Sequence, residues 1–197
     1  MFVQVIEGKV KDADLLLRQT DTWVAEIKPS VKGYLGSTGG VTPDGRSVWI
    51  ARFESKEAAE ANSSNDRQGA WWNETAKAYD GEPTFYDCTD IDTMFGGGSN
   101  DAGFVQVIEG RAKDPQSLRD RMREMETGLR QERPDILGMT IAWHPDGVGF
   151  TQAVYFKSEA ETRTAEKATE SSEMRQEFMD TFRETPTFFD LPDPRFD

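Results

Sequence analysis

The sequence predicts an α+β protein made of two copies of one βαββαβ module, and three observations lead to this prediction. First, residues 2–8 (FVQVIEG) recur unchanged as residues 104–110. Second, the hydrophobic period in each copy changes in the order strand, helix, strand, strand, helix, strand. Third, a glycine-rich stretch separates the copies. We therefore expect a first module over residues 1–92, a linker over 93–103, a second module over 104–191 and a surface tail over 192–197.

The repeat runs along the whole length of both copies. The turn at residues 43–45 (PDG) returns 102 positions later, and residues 83–85 (PTF) return 103 positions later at 186–188. Matches that keep their order and nearly constant spacing indicate duplication of one unit. Its length is well above the roughly 20–50 residues of a solenoid repeat, so each copy is a module in its own right.

Each module opens with a strand and a helix. Residues 2–8 are apolar apart from Gln4 and the closing Glu7-Gly8, which is typical of a central strand covered on both faces. Asp12 and Asp114 stand where a helix N-cap belongs, because aspartate accepts hydrogen bonds from the free N–H groups of a first turn. Helical spacing then predicts one buried helix face in the second copy: Leu118, Met122, Met125 and Leu129.

A hairpin, a second helix and a last strand complete each module. The hairpin strands are predicted at residues 33–41 and 46–54, and again at 136–143 and 148–157, with Pro-Asp-Gly in each turn. The second helix begins near Ser55 or Ser158, and the first copy interrupts it near residues 62–65. The last strands are Thr84–Cys88 and Thr187–Leu191. This order is that of a ferredoxin-like unit, a four-stranded antiparallel sheet with two helices on one face.

One such unit leaves the second face of its sheet bare. Soluble monomers rarely expose an apolar patch of that size. We therefore expect the two ferredoxin-like modules to pack sheet to sheet as an intrachain pseudo-dimeric α/β barrel. The chain would then be a monomer with an internal pseudo-dimer, or a homodimer.

These features resemble the dimeric α/β-barrel superfamily, and particularly its antibiotic-biosynthesis-monooxygenase-like branch. The resemblance covers residues 2–191, once per module, and rests on the element order, the FVQVI strand, the hairpin and the closing PTF(Y/F)D strand. Within the branch, the chain is similar to tandem-repeat actinobacterial proteins of uncharacterised function. The resemblance implies a pocket between sheet and helices for a small hydrophobic or aromatic molecule, and a cofactor-independent monooxygenase-like reaction. A non-catalytic binding or sensing protein on the same scaffold is the alternative.

Composition excludes several classes of partner. The 197 residues include 36 acidic and 23 basic side chains, for a net charge of −13. Nucleic acids and anionic membranes need clustered Lys and Arg, so neither is expected as a partner. No apolar run approaches the roughly 18 residues of a membrane span, and no secretory signal opens the chain. The single cysteine, Cys88, excludes an intrachain disulfide, and we expect a cytoplasmic protein.

Gln4 and Gln106 are the leading candidates for ligand contact. Each lies within an otherwise apolar strand, and a buried amide must find hydrogen-bond partners. Each amide either points into a ligand pocket or bridges to a neighbouring strand. In haem-degrading members of the superfamily, an amide of the first strand lies over the cofactor. Those members also carry a histidine on the second helix, and both second helices here lack one.

His144 is the only histidine in the chain. A zinc site would need further His or Cys ligands, so we expect no metal. A single histidine is able to ligate haem, which leaves haem binding as a remote alternative, although we expect no cofactor. The other interpretation of His144 is a turn histidine whose polar atoms bond to solvent.

The remaining candidates are aromatic, amide and basic side chains of the first copy. Trp72 and Asn73 stand where a helix would wall a pocket, although Trp72 could instead cover a loop. Tyr34 and Trp49 either contact a ligand or belong to the core. Arg52 lies in an apolar strand, where an inward side chain would need a carboxylate or an anionic ligand, and an outward one would need neither. Trp72 and Asn73 correspond to Arg175 and Gln176, so a site here would be asymmetric.

Overall fold

The computed structural model describes residues 1–169 and 173–197. They form two compact units, one of Met1–Thr89 with Arg195–Asp197, the other of Asp90–Pro194. We call them the first and the second unit. Each contains a five-stranded antiparallel sheet and helices, so the predicted α+β class with two tandem ferredoxin-like modules is confirmed. The predicted packing of one sheet on the other stays a prediction.

The first unit has the strand order β10-β2-β3-β1-β4. Its strands are β1 (Phe2–Lys9), β2 (Tyr34–Val41), β3 (Arg46–Phe53), β4 (Thr84–Cys88) and β10 (Arg195–Phe196). Its helices are α1 (Ala13–Thr22), which continues as a π-helical turn over Trp23–Ile27, α2 (Lys56–Ser63) and α3 (Asp66–Thr75). The predicted interruption of the second helix is therefore present, with Asn65 as the N-cap of α3.

The second unit has the equivalent order β5-β7-β8-β6-β9. Its strands are β5 (Asp90–Met94), β6 (Phe104–Arg111), β7 (Ile136–Trp143), β8 (Gly149–Phe156) and β9 (Thr187–Leu191). Its helices are α4 (Pro115–Glu132), α5 (Glu159–Thr169) and α6 (Glu173–Met179). Among the described residues, no helix is long and apolar enough to cross a membrane.

Both first helices begin at the predicted aspartates. The Asp12 carboxylate accepts a hydrogen bond from the backbone N–H of Leu15, and Asp114 accepts from those of Gln116 and Ser117. Since these N–H groups have no partner within the helix, each aspartate fixes the residue at which its helix starts.

Each sheet gains a fifth strand from a segment that the sequence analysis assigned elsewhere. β5, which spans the end of the predicted first module and the start of the predicted linker, pairs with β7. β10 lies in the predicted surface tail and pairs with β2. The strands β2 and β7, each next to an edge strand, both carry a register shift at the repeated Leu-Gly pair. A Cβ on Gly36 would overlap the backbone carbonyl oxygen of Asp197, and a Cβ on Gly138 would overlap that of Gly97. Both positions therefore need glycine.

Removal of residues 195–197 is expected to destabilise the first unit by roughly 1–3 kcal/mol. The deletion removes β10 and the Asp197 carboxylate, which accepts hydrogen bonds from the Tyr34 hydroxyl and from Ser37. Urea unfolding followed by tryptophan fluorescence measures the change, because four of the five tryptophans lie in this unit. Asp193→Ala, an exposed change in the same tail, is the control, and an equal loss there would contradict the prediction.

Candidate functional site

The second unit holds a cavity of about 600 Å³ between its sheet and its helices. Its floor is formed by alternate residues of β6, β7 and β8: Gln106, Ile108, Met139, Gln152, Val154 and Phe156. One wall comes from α4: Leu118, Met122, Met125 and Leu129. The opposite side includes Arg163 and Glu166 of α5, Phe178 and Met179 of α6, and Asp190 of β9. The volume lies within the roughly 300–1,000 Å³ typical of small-molecule sites.

The apolar wall of this second-unit cavity follows from the helical period of α4. Its four cavity-lining apolar residues are those that the sequence predicts as the buried face. Two of them, Met122 and Met125, have flexible and polarisable side chains that adjust to the shape of a bound molecule. The amphipathic helix therefore lines a space as well as packing on the sheet.

A polar cluster at one side of the cavity joins β6, β9 and α5. The Gln106 Nε2 group donates to Asp190 Oδ1 at 2.9 Å and to Glu166 Oε1 at 3.5 Å. Arg163 donates to Asp190 at 2.5 Å and to Glu166 at 3.0 Å. Burial alone would lower the pKa of Arg163, but its bonds to Glu166 and Asp190 outweigh burial and raise it. Gln106 thus bridges to the neighbouring strand and also lines the cavity, and ligand contact by this residue stays a prediction.

Gln152 of β8 is a second buried amide on the cavity floor, with 2% of its surface exposed. Its Nε2 group lies 2.7 Å from the Met139 sulfur, and its Oε1 oxygen has no hydrogen-bond partner among the described residues. The sequence analysis missed Gln152. The signal that singled out Gln106, an amide inside an apolar strand, is present at Gln152 too.

The first unit has only about 90 Å³ of space at the equivalent place. Gln4, Tyr34, Trp49 and Trp72 all line it, so the structure brings these four candidates together. The Trp72 ring contacts the rings of Trp71, Tyr79 and Phe85, at centroid distances of 5.2 to 6.2 Å. The Gln4 Nε2 group donates to Asp87 Oδ1 at 2.9 Å. Aromatic side chains therefore fill this space, and ligand contact by these residues stays a prediction.

One pair of facing residues in each sheet accounts for part of the difference in volume between the two spaces. Trp49 faces Gly39 across β2 and β3, and Gln152 faces Ile141 at the same register position of β7 and β8. A Cβ on Gly39 would overlap the Trp49 indole, so the glycine makes room for that ring on the floor. In the second unit the smaller Gln152 side chain leaves more space above the sheet. Met125 likewise stands where the first copy has Trp23.

Comparisons with known proteins bear on the fold. No family model and no curated protein matches the sequence. A proposed monooxygenase from Lactobacillus acidophilus superposes with a TM-score of 0.71 at 12% identity, over 96% of this chain and 92% of that one. Another, from Fusobacterium nucleatum, gives 0.70 at 11% identity, over 96% and 90%. A ferredoxin-fold protein from Listeria monocytogenes, related to antibiotic biosynthesis monooxygenases, gives 0.52 at 12% identity, over 96% and 92%.

The chain has the antibiotic-biosynthesis-monooxygenase fold. The resemblance predicted from the sequence is therefore confirmed at the level of the fold. At these identities the likeness carries no site residue across, so the chemistry of this monooxygenase-like fold must be argued from its own side chains.

Three sequence candidates line neither space of this monooxygenase-like fold. Arg52 alternates with the pocket-lining Ala51, so it lies on the sheet face opposite the helices, where it donates to Thr38 Oγ1 at 3.3 Å. Asn73 is exposed on α3. His144 lies at the β7–β8 turn with 6% of its surface exposed, and its Nε2 atom is 2.8 Å from Thr151 Oγ1. The expectation of a solvent-bonded turn histidine was wrong, because neighbouring residues bury the ring.

The sequence analysis left haem binding as a remote alternative, but the residues of this cavity do not fit a histidine-ligated haem. The chain has one histidine, and it does not line the cavity. Within residues 1–169 and 173–197, no group of three or more His, Cys, Asp or Glu side chains could hold a metal ion.

His144 is expected to make the stability of the second unit depend on pH. Burial lowers its pKa to about 4, against an ordinary value near 6.5. The unfolded chain therefore binds the proton first, so stability is full above about pH 6.5 and falls by about 1.4 kcal/mol per pH unit toward pH 4. Urea unfolding at pH 7, 6 and 5 measures the slope. His144→Thr, which installs the first copy's Thr42, removes this contribution, and an unchanged slope in that variant would contradict the prediction.

Proposed function

We propose that the second unit binds a small, largely apolar organic molecule in the cavity between its sheet and its helices. The observation that carries the proposal is the space of about 600 Å³ that the side chains leave between sheet and helices, where the first unit has about 90 Å³. Small-molecule sites are concave, mostly apolar and of this size, with a few polar groups at fixed places. A molecule bound here would remove the apolar lining from water.

The side chains around the cavity define the shape of the expected occupant. Ile108, Met122, Leu129 and Val154 offer apolar surface to the body of the molecule. The polar cluster of Gln106, Arg163, Glu166 and Asp190 lies along one side and suits a single polar group. A bicyclic or tricyclic aromatic molecule with one hydroxyl or carbonyl group matches this division.

Oxygenation without a cofactor is the reaction that we propose for this site. Asp190 and Glu166 are carboxylates that line the cavity beside Gln106, so either is placed to take a proton from a bound phenol. Molecular oxygen would then add to the ring carbon opposite the phenol oxygen. For 1-naphthol, one oxygen atom stays in the naphthoquinone product and the other leaves as water. Two neighbours in fold are described as proposed monooxygenases, which favours this class.

Binding is tested by calorimetric titration with 1-naphthol. We expect one molecule to bind per chain and Met122→Trp to abolish binding, because Met122 faces the cavity and the larger ring fills it. Thr20→Trp is the matched control, since Thr20 is the first-unit counterpart of Met122 and lines the smaller space. No binding to the parent protein, or unchanged binding to Met122→Trp, would overturn the proposal.

Catalysis is tested by dissolved-oxygen consumption with 1-naphthol and related phenols. Oxygen uptake that falls at least tenfold in Asp190→Asn or in Glu166→Gln would support the oxygenase. Saturable binding without oxygen uptake would instead identify a non-catalytic binding or sensing protein, the alternative that the same cavity allows.

A further inference from the structure

The carbonyl oxygen of Gln152 is a buried acceptor without a partner among the described residues. The side chain stands on the cavity floor, between Ile108 of β6 and Ile141 of β7 in the register of the sheet. Leaving a buried acceptor unsatisfied costs about as much as a lost hydrogen bond, and native structures rarely keep one without a reason.

The contact with Met139 decides which end of the amide lacks a partner. A thioether sulfur accepts hydrogen bonds weakly and has no proton to donate. The Nε2 group of Gln152 therefore faces the Met139 sulfur, at 2.7 Å, and Oε1 is the remaining end. Turning the amide over would place two acceptors together and would orphan the NH₂ group as well. The missing partner is thus a hydrogen-bond donor.

We propose that Gln152 selects ligands that carry a hydroxyl or N–H donor on the part that reaches the cavity floor. This inference rests on the proposed binding function and names the class of ligand for it. The donor bonds to the Gln152 carbonyl oxygen after a small adjustment of the side chain, in which the Nε2 group keeps its contact with the Met139 sulfur. The flexible Met139 side chain follows this adjustment.

The selection at this point of the floor is separate from that of the polar cluster. In the cluster, the Gln106 amide donates to Asp190 and Glu166, and these two carboxylates accept at the side of the cavity. In the first unit, Trp49 occupies the position of Gln152 and has no acceptor atom on its indole ring. At this point of the floor, the selection for a donor therefore belongs to the second unit and to Gln152.

The test compares 1,5-dihydroxynaphthalene with 5-methoxy-1-naphthol, in which a methyl group replaces one of the two donor protons and one hydroxyl remains for the polar cluster. We expect 1,5-dihydroxynaphthalene to bind the parent protein about tenfold more tightly, as the net gain of one buried hydrogen bond predicts. In Gln152→Leu and Gln152→Met, the ratio of the two dissociation constants should fall to within about twofold. Two variants are used so that a folding defect in one does not decide the result, and thermal unfolding of each empty variant checks its fold.

Each outcome separates this inference from the function on which it rests. Equal affinity of the parent protein for both molecules, or a preference that persists in both variants, overturns the role of Gln152 and leaves ligand binding intact. Failure of both molecules to bind the parent protein overturns the binding function and this inference with it. A preference for the donor-bearing molecule that is present in the parent protein and lost in a folded variant supports both the role of Gln152 and the binding function.

Discussion

The double variant Ile141→Gly with Gln152→Trp is expected to bind 1-naphthol more than tenfold more weakly than the parent protein. It gives the second unit the facing pair of the first unit, Gly39 and Trp49. The two pairs occupy the same register position, and the glycine makes room for the indole ring in the first unit. The introduced ring would cover the floor between Ile108 and Val154 and occupy the volume of the ligand. Calorimetric titration measures the loss, and circular dichroism verifies that the variant is folded.

Two further variants show whether the size of the side chains on the cavity floor controls binding. Gln152→Trp alone should fold less well than the double variant, because Ile141 then competes with the indole for the same space. Trp49→Phe changes the first unit at the equivalent position and should leave the affinity for 1-naphthol unchanged. Full binding by the folded double variant would show that the ligand lies elsewhere.

Gly39→Ala is expected to destabilise the first unit by roughly 2–3 kcal/mol, as overpacking does in a dense core. A Cβ at this position would overlap the Trp49 ring and would lie 2.7 Å from the Val48 carbonyl oxygen. The glycine is in a strand between two neighbours and has little freedom to move away. Urea unfolding followed by tryptophan fluorescence measures the change.

Gly69→Ala provides the opposite expectation for the same chemical change. Gly69 is in α3, and a Cβ there meets no atom within 4 Å, so alanine should stabilise the helix by roughly 0.5–1 kcal/mol. If Gly39→Ala is also neutral or stabilising, the close contact with Trp49 does not exist in solution. In the double variant Gly39→Ala with Trp49→Leu, part of the lost stability should return, since the two side chains interact directly.

Much of the fold was predictable because the repeat and the local signals agree. Asp12 and Asp114 marked both helix starts, and the Pro-Asp-Gly turns marked both hairpins. The fifth strands were not predictable from periodicity. β10 has two residues, too few to show alternation, and β5 is an alternating polar run beside glycines that indicated a linker. Their pairing depends on the edges of distant strands, which no local pattern reveals.

The candidate site was predicted less completely than the fold. Gln106 was found because an amide interrupts an apolar strand, and Gln152 was missed although the same reasoning applies to it. Arg163 follows Glu159 and Glu161 in the chain, and no pattern in the sequence around it singles it out. Its role follows from Asp190, a residue of another strand, so only the structure brings the two together.

The fifth strands have a consequence for proteolysis. β5 belongs to the second sheet although it follows the first module along the chain, and β10 belongs to the first sheet although it follows the second module. A protease that cuts between residues 95 and 103 would produce two fragments, each ending in a strand that is hydrogen-bonded into the sheet of the other. Such a nicked protein should stay together through gel filtration and separate only under denaturing conditions.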